Sequence, residues 1–91
     1  TILIRPEKIK ISRDFFLKAL HEENIGAGVH FISLHIHPYY KNLYKLKKND
    51  FPNAAFISDR TISLPLSGKL TDKDVSDVIS AVRKITLYYS K

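Results

Sequence analysis

The clearest structural pattern in this chain is TDKDVSDVISAVRKITLYY, residues 71–89. Thr71 and Asp74 have the spacing of a capping box, with Asp in place of the usual Glu. Apolar side chains follow at helical spacing, which predicts a helix over residues 72–89. We expect its apolar stripe to lie in the core; the stripe consists of Val75, Val78, Ile79, Val82 and Ile85.

Three segments upstream of this helix have the composition of strands. Residues 61–64 form a short apolar segment that stops at Pro65, and residues 29–36 are rich in β-branched and aromatic side chains. The chain opens with a third apolar run over residues 1–5. We predict a strand at each of these places.

The remaining elements are predicted to be helices and loops. Ser12 is suited to cap a helix that ends at Asn24 and Gly26. The other predicted elements are a short helix from Pro38, a loop over residues 49–53, a short helix over residues 54–60 and a turn at Ser67 and Gly68. This order predicts an α/β fold, a small two-layer sandwich in which helices cover one face of a short sheet.

Composition limits the class of protein. Ninety-one residues make one domain at most, and the absence of cysteine excludes disulfides and thiolate metal sites. No apolar run approaches the roughly 18 residues that a membrane helix needs, so we expect no membrane partner. The absence of cysteine fits a reducing cytoplasm, so we expect a cytoplasmic chain. Because it begins at Thr1 and lacks methionine, we expect it to be a piece of a longer protein.

The net charge is +6, and its one lysine cluster consists of Lys41, Lys45, Lys47 and Lys48. A solvated basic face is the simplest interpretation. A nucleic-acid patch is the alternative, but the chain has no RNP, KH or helix-turn-helix motif. We therefore predict no nucleic-acid partner, and keep a non-catalytic basic binding module as the alternative function.

The segment GVHFISLHIHPYY, residues 28–40, has the composition of a site wall, with three histidines and two tyrosines around an apolar run. On a strand, His35 and His37 would face the same side, as metal ligands can. A zinc site needs three or four ligands, and no cysteine or carboxylate lies close in sequence, so we predict no metal. Tyr39 and Tyr40 could stack on a nucleobase or donate hydrogen bonds to a diphosphate.

Taken together, these motifs resemble the C-terminal domain of the DegT/DnrJ/StrS family of aminotransferases. The resemblance covers essentially all ninety-one residues, and its strength lies in the order and spacing of the pieces. The main pieces are RDFF at 13–16, NIG at 24–26, VHFI at 29–32, LH at 34–35, YY at 39–40, DFPNA at 50–54, SLPL at 63–66 and LTDKDV at 70–75.

The resemblance implies a function for a longer parent enzyme. Family members depend on pyridoxal 5′-phosphate (PLP), have fold type I and aminate keto groups of nucleotide-linked sugars, usually with glutamate as amino donor. Residues 1–91 would be the C-terminal small domain, and the large domain that holds PLP and its covalent lysine would be missing. The resemblance therefore implies an inactive isolated chain with no catalytic residue, and a homodimeric parent.

The resemblance also suggests substrate contacts. His30 and Phe31 match the family on the substrate side of the cleft, and His35 and Tyr40 match motif positions that could line it. We therefore expect these four residues to bind the sugar nucleotide. The chain departs from the family at Ala27, Ser33 and Lys45, which lie in the ligand-side loop.

Overall fold

The long C-terminal helix, α4, spans Asp72–Tyr88 in the computed structural model, which describes residues 1–29 and 32–91. The Asp74 backbone N–H donates to Thr71 Oγ1 at 3.1 Å. The Thr71 N–H donates to Asp74 Oδ2 at 3.0 Å. The predicted capping box is confirmed, and the helix ends one residue earlier than predicted.

The prediction that the whole apolar stripe of α4 lies in the core is wrong. Ile85 is only 4% exposed, whereas Ile79 is 54% exposed and Val75 is also exposed. Val78 and Val82 lie between these extremes and pack against the core from its margin. The core therefore contacts one edge of the stripe. Periodicity defines an apolar face, but it does not define which part of that face a neighbouring element covers.

The first helix, α1, spans Arg13–Glu22 and supplies two of the largest buried side chains. Ser12 caps it as predicted, because its Oγ accepts a hydrogen bond from the Phe15 N–H at 3.2 Å. Phe16 and Leu20 lie one turn apart and are fully buried. This helix packs against α4 and against the second strand.

Helix α1 is terminated by a residue in the left-handed backbone conformation. Asn24 has a φ of 63°, a conformation that asparagine tolerates better than most residues, and this stops the helix as predicted. Gly26, the other predicted stop residue, does not adopt a positive φ. His21 strengthens the turn, because its Nε2 donates to the Ala27 carbonyl at 2.7 Å.

Among the described residues, the sheet consists of two short antiparallel strands, β1 at Ile2–Leu3 and β2 at Thr61–Ile62. Both predicted strands are confirmed at these places, but each is shorter than predicted. Beyond β2, Ser63 forms an isolated bridge with Gly28, in which each backbone N–H donates to the other carbonyl. β2 therefore joins the start of the chain to the segment that follows α1.

The predicted strand over residues 29–36 is not observed, since Val29 and residues 32–36 belong to no strand. Instead the backbone turns: the Ile36 N–H donates to the Ser33 carbonyl at 3.0 Å, and the following N–H donates to the Leu34 carbonyl at 3.1 Å. These local bonds use N–H groups that a sheet ladder would need. The remainder of the predicted strand, residues 30–31, lies outside the described residues.

Two shorter helices follow this turn. Helix α2 spans Pro38–Tyr44, with proline in its first turn as predicted. A 3-10 turn at Lys48–Asp50 leads into α3, which spans Pro52–Arg60. The predicted loop over residues 49–53 is therefore partly helical, because Pro52 begins α3 two residues before the predicted start.

Within residues 1–29 and 32–91 the fold is a small mixed α/β unit of four α-helices and a two-stranded sheet. The two-layer sandwich remains a prediction. None of the helices described is long and apolar enough to cross a membrane. The main core cluster consists of Ile4, Ile9, Phe16, Leu20, Ile25, Ala27, Ile62, Ala81 and Ile85.

Candidate functional site

An open cavity of about 650 Å³ lies away from the main core, between the turn at residues 32–35, helix α2 and the segment that leads into α3. We call it the aromatic pocket. Its volume is within the range of small-molecule sites. Its lining consists of Ile32, Ser33, Leu34, His35, Tyr40, Tyr44, Leu46, Phe51 and Ala54.

Helix α2 supplies two of the aromatic side chains. Tyr40 and Tyr44 are four positions apart, so their side chains emerge from the same face of the helix. They are 38% and 65% exposed, respectively. The helix ends immediately afterwards at Lys45, which has a left-handed φ of 51°, and this turn brings Leu46 back to the pocket.

His35 forms the inner wall of the aromatic pocket and is 5% exposed. Its Nε2 lies 2.9 Å from the Lys48 carbonyl oxygen. Because a carbonyl can only accept, Nε2 must carry the proton in this contact, and Nδ1 of the neutral ring is then an acceptor. The His35 ring lies 5.1 Å from the Phe51 ring, centroid to centroid, at an interplanar angle of 57°. The two contacts join the turn to the segment before α3.

Ser33 forms hydrogen bonds that link the same turn to helix α3. Its hydroxyl donates to the Ala54 carbonyl at 2.8 Å, and its backbone N–H donates to Ser58 Oγ at 3.3 Å. Both serines are buried. The resemblance identifies Ser33 only as a departure from the family pattern, whereas in the structure its hydroxyl and N–H hold the wall of the pocket in place.

A lysine cluster is adjacent in sequence to residues that line the aromatic pocket. Lys41, Lys45 and Lys47 are exposed, and in the part of the chain that the structure describes they take part in no ion pair. The fourth lysine of the cluster is neutralised, because Lys48 Nζ lies 2.6 Å from Asp59 Oδ2. Among the described residues, three lysines of the cluster therefore have no ion-pair partner.

Of the four predicted substrate contacts, His35 and Tyr40 line the aromatic pocket. His30 and Phe31 lie outside the described residues. The prediction did not include Tyr44 and Phe51, which also line the pocket. The helical spacing of Tyr40 and Tyr44 indicated that they share a face, but nothing in the sequence indicated that Phe51 meets them.

The possible metal pair does not have the expected arrangement. His35 is buried and His37 is exposed, at the N-cap of α2, so they do not share one face of a strand. No group of three or more side chains that could ligate a metal occurs among residues 1–29 and 32–91. The described lining of the aromatic pocket consists of apolar side chains, three aromatic rings, hydroxyl groups and one imidazole.

The comparisons with known proteins agree with one another. A model of the DegT/DnrJ/EryC1/StrS aminotransferase family matches residues 1–83. The uncharacterized protein MJ1066 of Methanocaldococcus jannaschii is 50% identical over 84 residues, which cover 92% of this chain. The spore coat polysaccharide biosynthesis protein SpsC of Bacillus subtilis is 50% identical over 80 residues, or 87% of this chain. The matches span 22% and 21% of these two relatives, respectively.

Proposed function

We propose, from the premise that this chain belongs to the DegT/DnrJ/EryC1/StrS aminotransferase family, that it is the C-terminal small domain of a PLP-dependent enzyme. The enzyme transfers an amino group from glutamate to a keto sugar nucleotide in polysaccharide or amino-sugar biosynthesis. The observation that carries the proposal is the family match over residues 1–83, together with a relative that is named for polysaccharide biosynthesis.

The small domain contributes one wall of the substrate cleft in this proposal. The aromatic pocket supports that role, because its volume of about 650 Å³ suits a small molecule and two of the predicted contacts, His35 and Tyr40, line it. His30 and Phe31 remain proposed contacts. The match to about a fifth of each relative supports a parent enzyme in which most of the chain lies outside this domain.

PLP is not assigned to residues of this chain. When bound, PLP acts as an electron sink for the amino-group transfer and requires a covalent lysine and a partner for its ring nitrogen. No lysine lines the aromatic pocket among the described residues. The proposal therefore places the cofactor in the large domain and expects the isolated 91-residue chain to be inactive. It also includes a cytoplasmic homodimer, on the strength of the resemblance.

The absorption spectrum of the full-length gene product tests this proposal. We expect a visible band from bound PLP that shifts when glutamate is added. A protein that stays colourless after incubation with PLP would contradict it. The matched control is the 91-residue chain, which should give no band under the same conditions.

A second candidate is a non-catalytic basic binding module, which is favoured by the three exposed lysines of the cluster, Lys41, Lys45 and Lys47, that form no ion pair among the described residues. It predicts salt-sensitive binding of the 91-residue chain to RNA or DNA, because each neutralised phosphate releases counterions. Absence of binding to either nucleic acid at low salt would eliminate this candidate.

A further inference from the structure

We propose that a cavity at the start of helix α1 binds an oxyanion, a phosphate or carboxylate group, through arginine and lysine side chains. The cavity has a volume of about 450 Å³, and we call it the basic cavity. Its charged and hydroxyl-bearing lining consists of Lys10, Ser12, Arg13, Asp59, Arg60 and Lys91. It shares no lining residue with the aromatic pocket, and the proposed site requires neither PLP nor a sugar nucleotide.

The lining of the basic cavity carries an excess of positive charge, with four basic side chains and one carboxylate. That carboxylate belongs to Asp59, and its Oδ2 lies 2.6 Å from the Nζ of Lys48, which does not line the cavity. Lys10, Arg60 and Lys91 form no ion pair among the described residues. Because a cleft lined by charges of one sign concentrates their field, it attracts ions of the opposite sign.

Arg60 has a guanidinium group that is held in place and has donors to spare. Its Nη1 donates to the Phe56 carbonyl at 3.0 Å, and its Cζ lies 3.9 Å from the centroid of the Phe56 ring. Its Nε is buried and has no hydrogen-bond partner among residues 1–29 and 32–91. A buried donor without a partner is uncommon in proteins, and a bound ion is one way to satisfy it. Arginine binds carboxylate and phosphate through two parallel N–H donors, and with Nη1 engaged the remaining pair is Nε and Nη2.

The backbone brings two lysines from opposite ends of the sequence to this cavity. The Lys10 N–H donates to the Tyr89 carbonyl at 2.8 Å, and the Lys91 N–H donates to the Lys8 carbonyl at 3.1 Å. These bonds hold Lys10 and Lys91 beside the same cavity, although their side chains are exposed and carry the same charge. An anion between them would offset the repulsion of the two ammonium groups.

Arg13 holds the start of α1 against the end of α3. Its Nη1 donates to the carbonyls of Ser58 and Thr61 at 2.8 and 3.2 Å, and its Nε lies 2.7 Å from Asp14 Oδ1. Because Arg13 is already engaged with the protein, we assign the direct contacts with the anion to the basic side chains that form no ion pair.

The dissociation constant of inorganic phosphate, measured by phosphorus NMR at constant ionic strength, tests the proposal. We expect saturable binding to the 91-residue chain. Arg60→Gln should raise the dissociation constant about tenfold, the effect of losing a charge-assisted hydrogen bond. Arg60→Lys keeps the charge but not the paired donors, so it should have an intermediate effect. Arg83→Gln is the matched control, because Arg83 is exposed, forms no ion pair among the described residues and does not line the cavity.

A second variant separates binding from folding, since Arg60 also contacts Phe56. Lys10→Gln changes an exposed side chain and should raise the dissociation constant about threefold, as expected for an exposed charge. Lys73→Gln, at the exposed start of α4, removes the same charge outside the cavity and should leave the dissociation constant unchanged.

The same measurement on the full-length gene product, saturated with PLP, distinguishes the two sources of the oxyanion. Phosphate binding by both proteins, weakened by Arg60→Gln in each, identifies a free anion. Binding by the 91-residue chain alone identifies a carboxylate from the rest of the parent chain as the occupant. Absence of saturable binding to both proteins would overturn the proposal. Equal constants for Arg60→Gln and Arg83→Gln, or for Lys10→Gln and Lys73→Gln, would also overturn it, since binding would then follow net charge alone. A failure of the proposed function appears instead as a missing PLP band and does not affect phosphate binding by the 91-residue chain.

Discussion

Two isoleucines on α4 should differ strongly in their contribution to stability, although the sequence pattern treats them alike. Ile85 is 4% exposed, so Ile85→Ala removes almost the full transfer free energy of the side chain and leaves a cavity. We expect the free energy of unfolding to fall by about 3 kcal/mol. Ile79 is 54% exposed, so less than half of its transfer term is available and no enclosed cavity forms.

The expected loss for Ile79→Ala is under about 1 kcal/mol, at about 0.8 kcal/mol per buried methylene. The higher helix propensity of alanine offsets a few tenths of it. Because a domain of this size has little stability to lose, valine variants provide a milder pair. Ile85→Val should cost about 1 kcal/mol, and Ile79→Val much less.

Urea denaturation followed by far-UV circular dichroism measures these differences, provided that the denaturant slope is the same for all variants. Equal losses at Ile79 and Ile85 would refute the reasoning, since they would mean that both side chains are equally buried in solution. Repeating the Ile79 measurement at several protein concentrations tells whether association of the chain covers that face. A loss that grows with concentration would identify such a contact.

Three further predictions concern single contacts and use the same denaturation measurement. Thr71→Ala should lower the free energy of unfolding by about 1 kcal/mol, because the Asp74 N–H loses its acceptor; Thr71→Ser keeps the hydroxyl and should cost much less. Ser33→Ala should cost about 1 kcal/mol through loss of the bond to the Ala54 carbonyl, and no loss would mean that this bond is not formed. Asn24→Ala should cost about 1 kcal/mol and Asn24→Gly should be nearly neutral, because only the alanine is strained at a φ of 63°. The reverse order would contradict the assigned backbone.

The parts of the fold that sequence predicted well depend on local chemistry. Ser12 and Thr71 begin α1 and α4 through bonds to residues three positions away, so a short window contains all the information. Pro38 begins α2 for a similar reason. These signals are independent of what the rest of the chain does.

The predictions that are wrong concern features that depend on contacts between residues distant in sequence. The segment that includes Ser33 has strand composition, but its side chains bind the carbonyls of α3 and of the 3-10 turn, so the backbone turns instead. Likewise, the spacing of Val75 and Ile79 predicts an apolar helix face, but it does not predict whether another element covers that face. In the candidate site, the resemblance predicts His35 and Tyr40 as substrate contacts. It does not predict Phe51, which lines the same pocket only because of the tertiary fold.

The pairing of the two ends of the chain affects the order in which this domain can form on the ribosome. Ile2 pairs with Ile62, and Ile9 forms a bridge with Ser90. The N-terminal residues of this domain must therefore wait for residues near its C-terminal end before their backbone bonds can close. Helix α1 can form early because its cap and its backbone hydrogen bonds are local, whereas the strand pairing cannot form until the later residues have been synthesised. Such long-range pairing slows folding and leaves apolar segments exposed in the nascent chain.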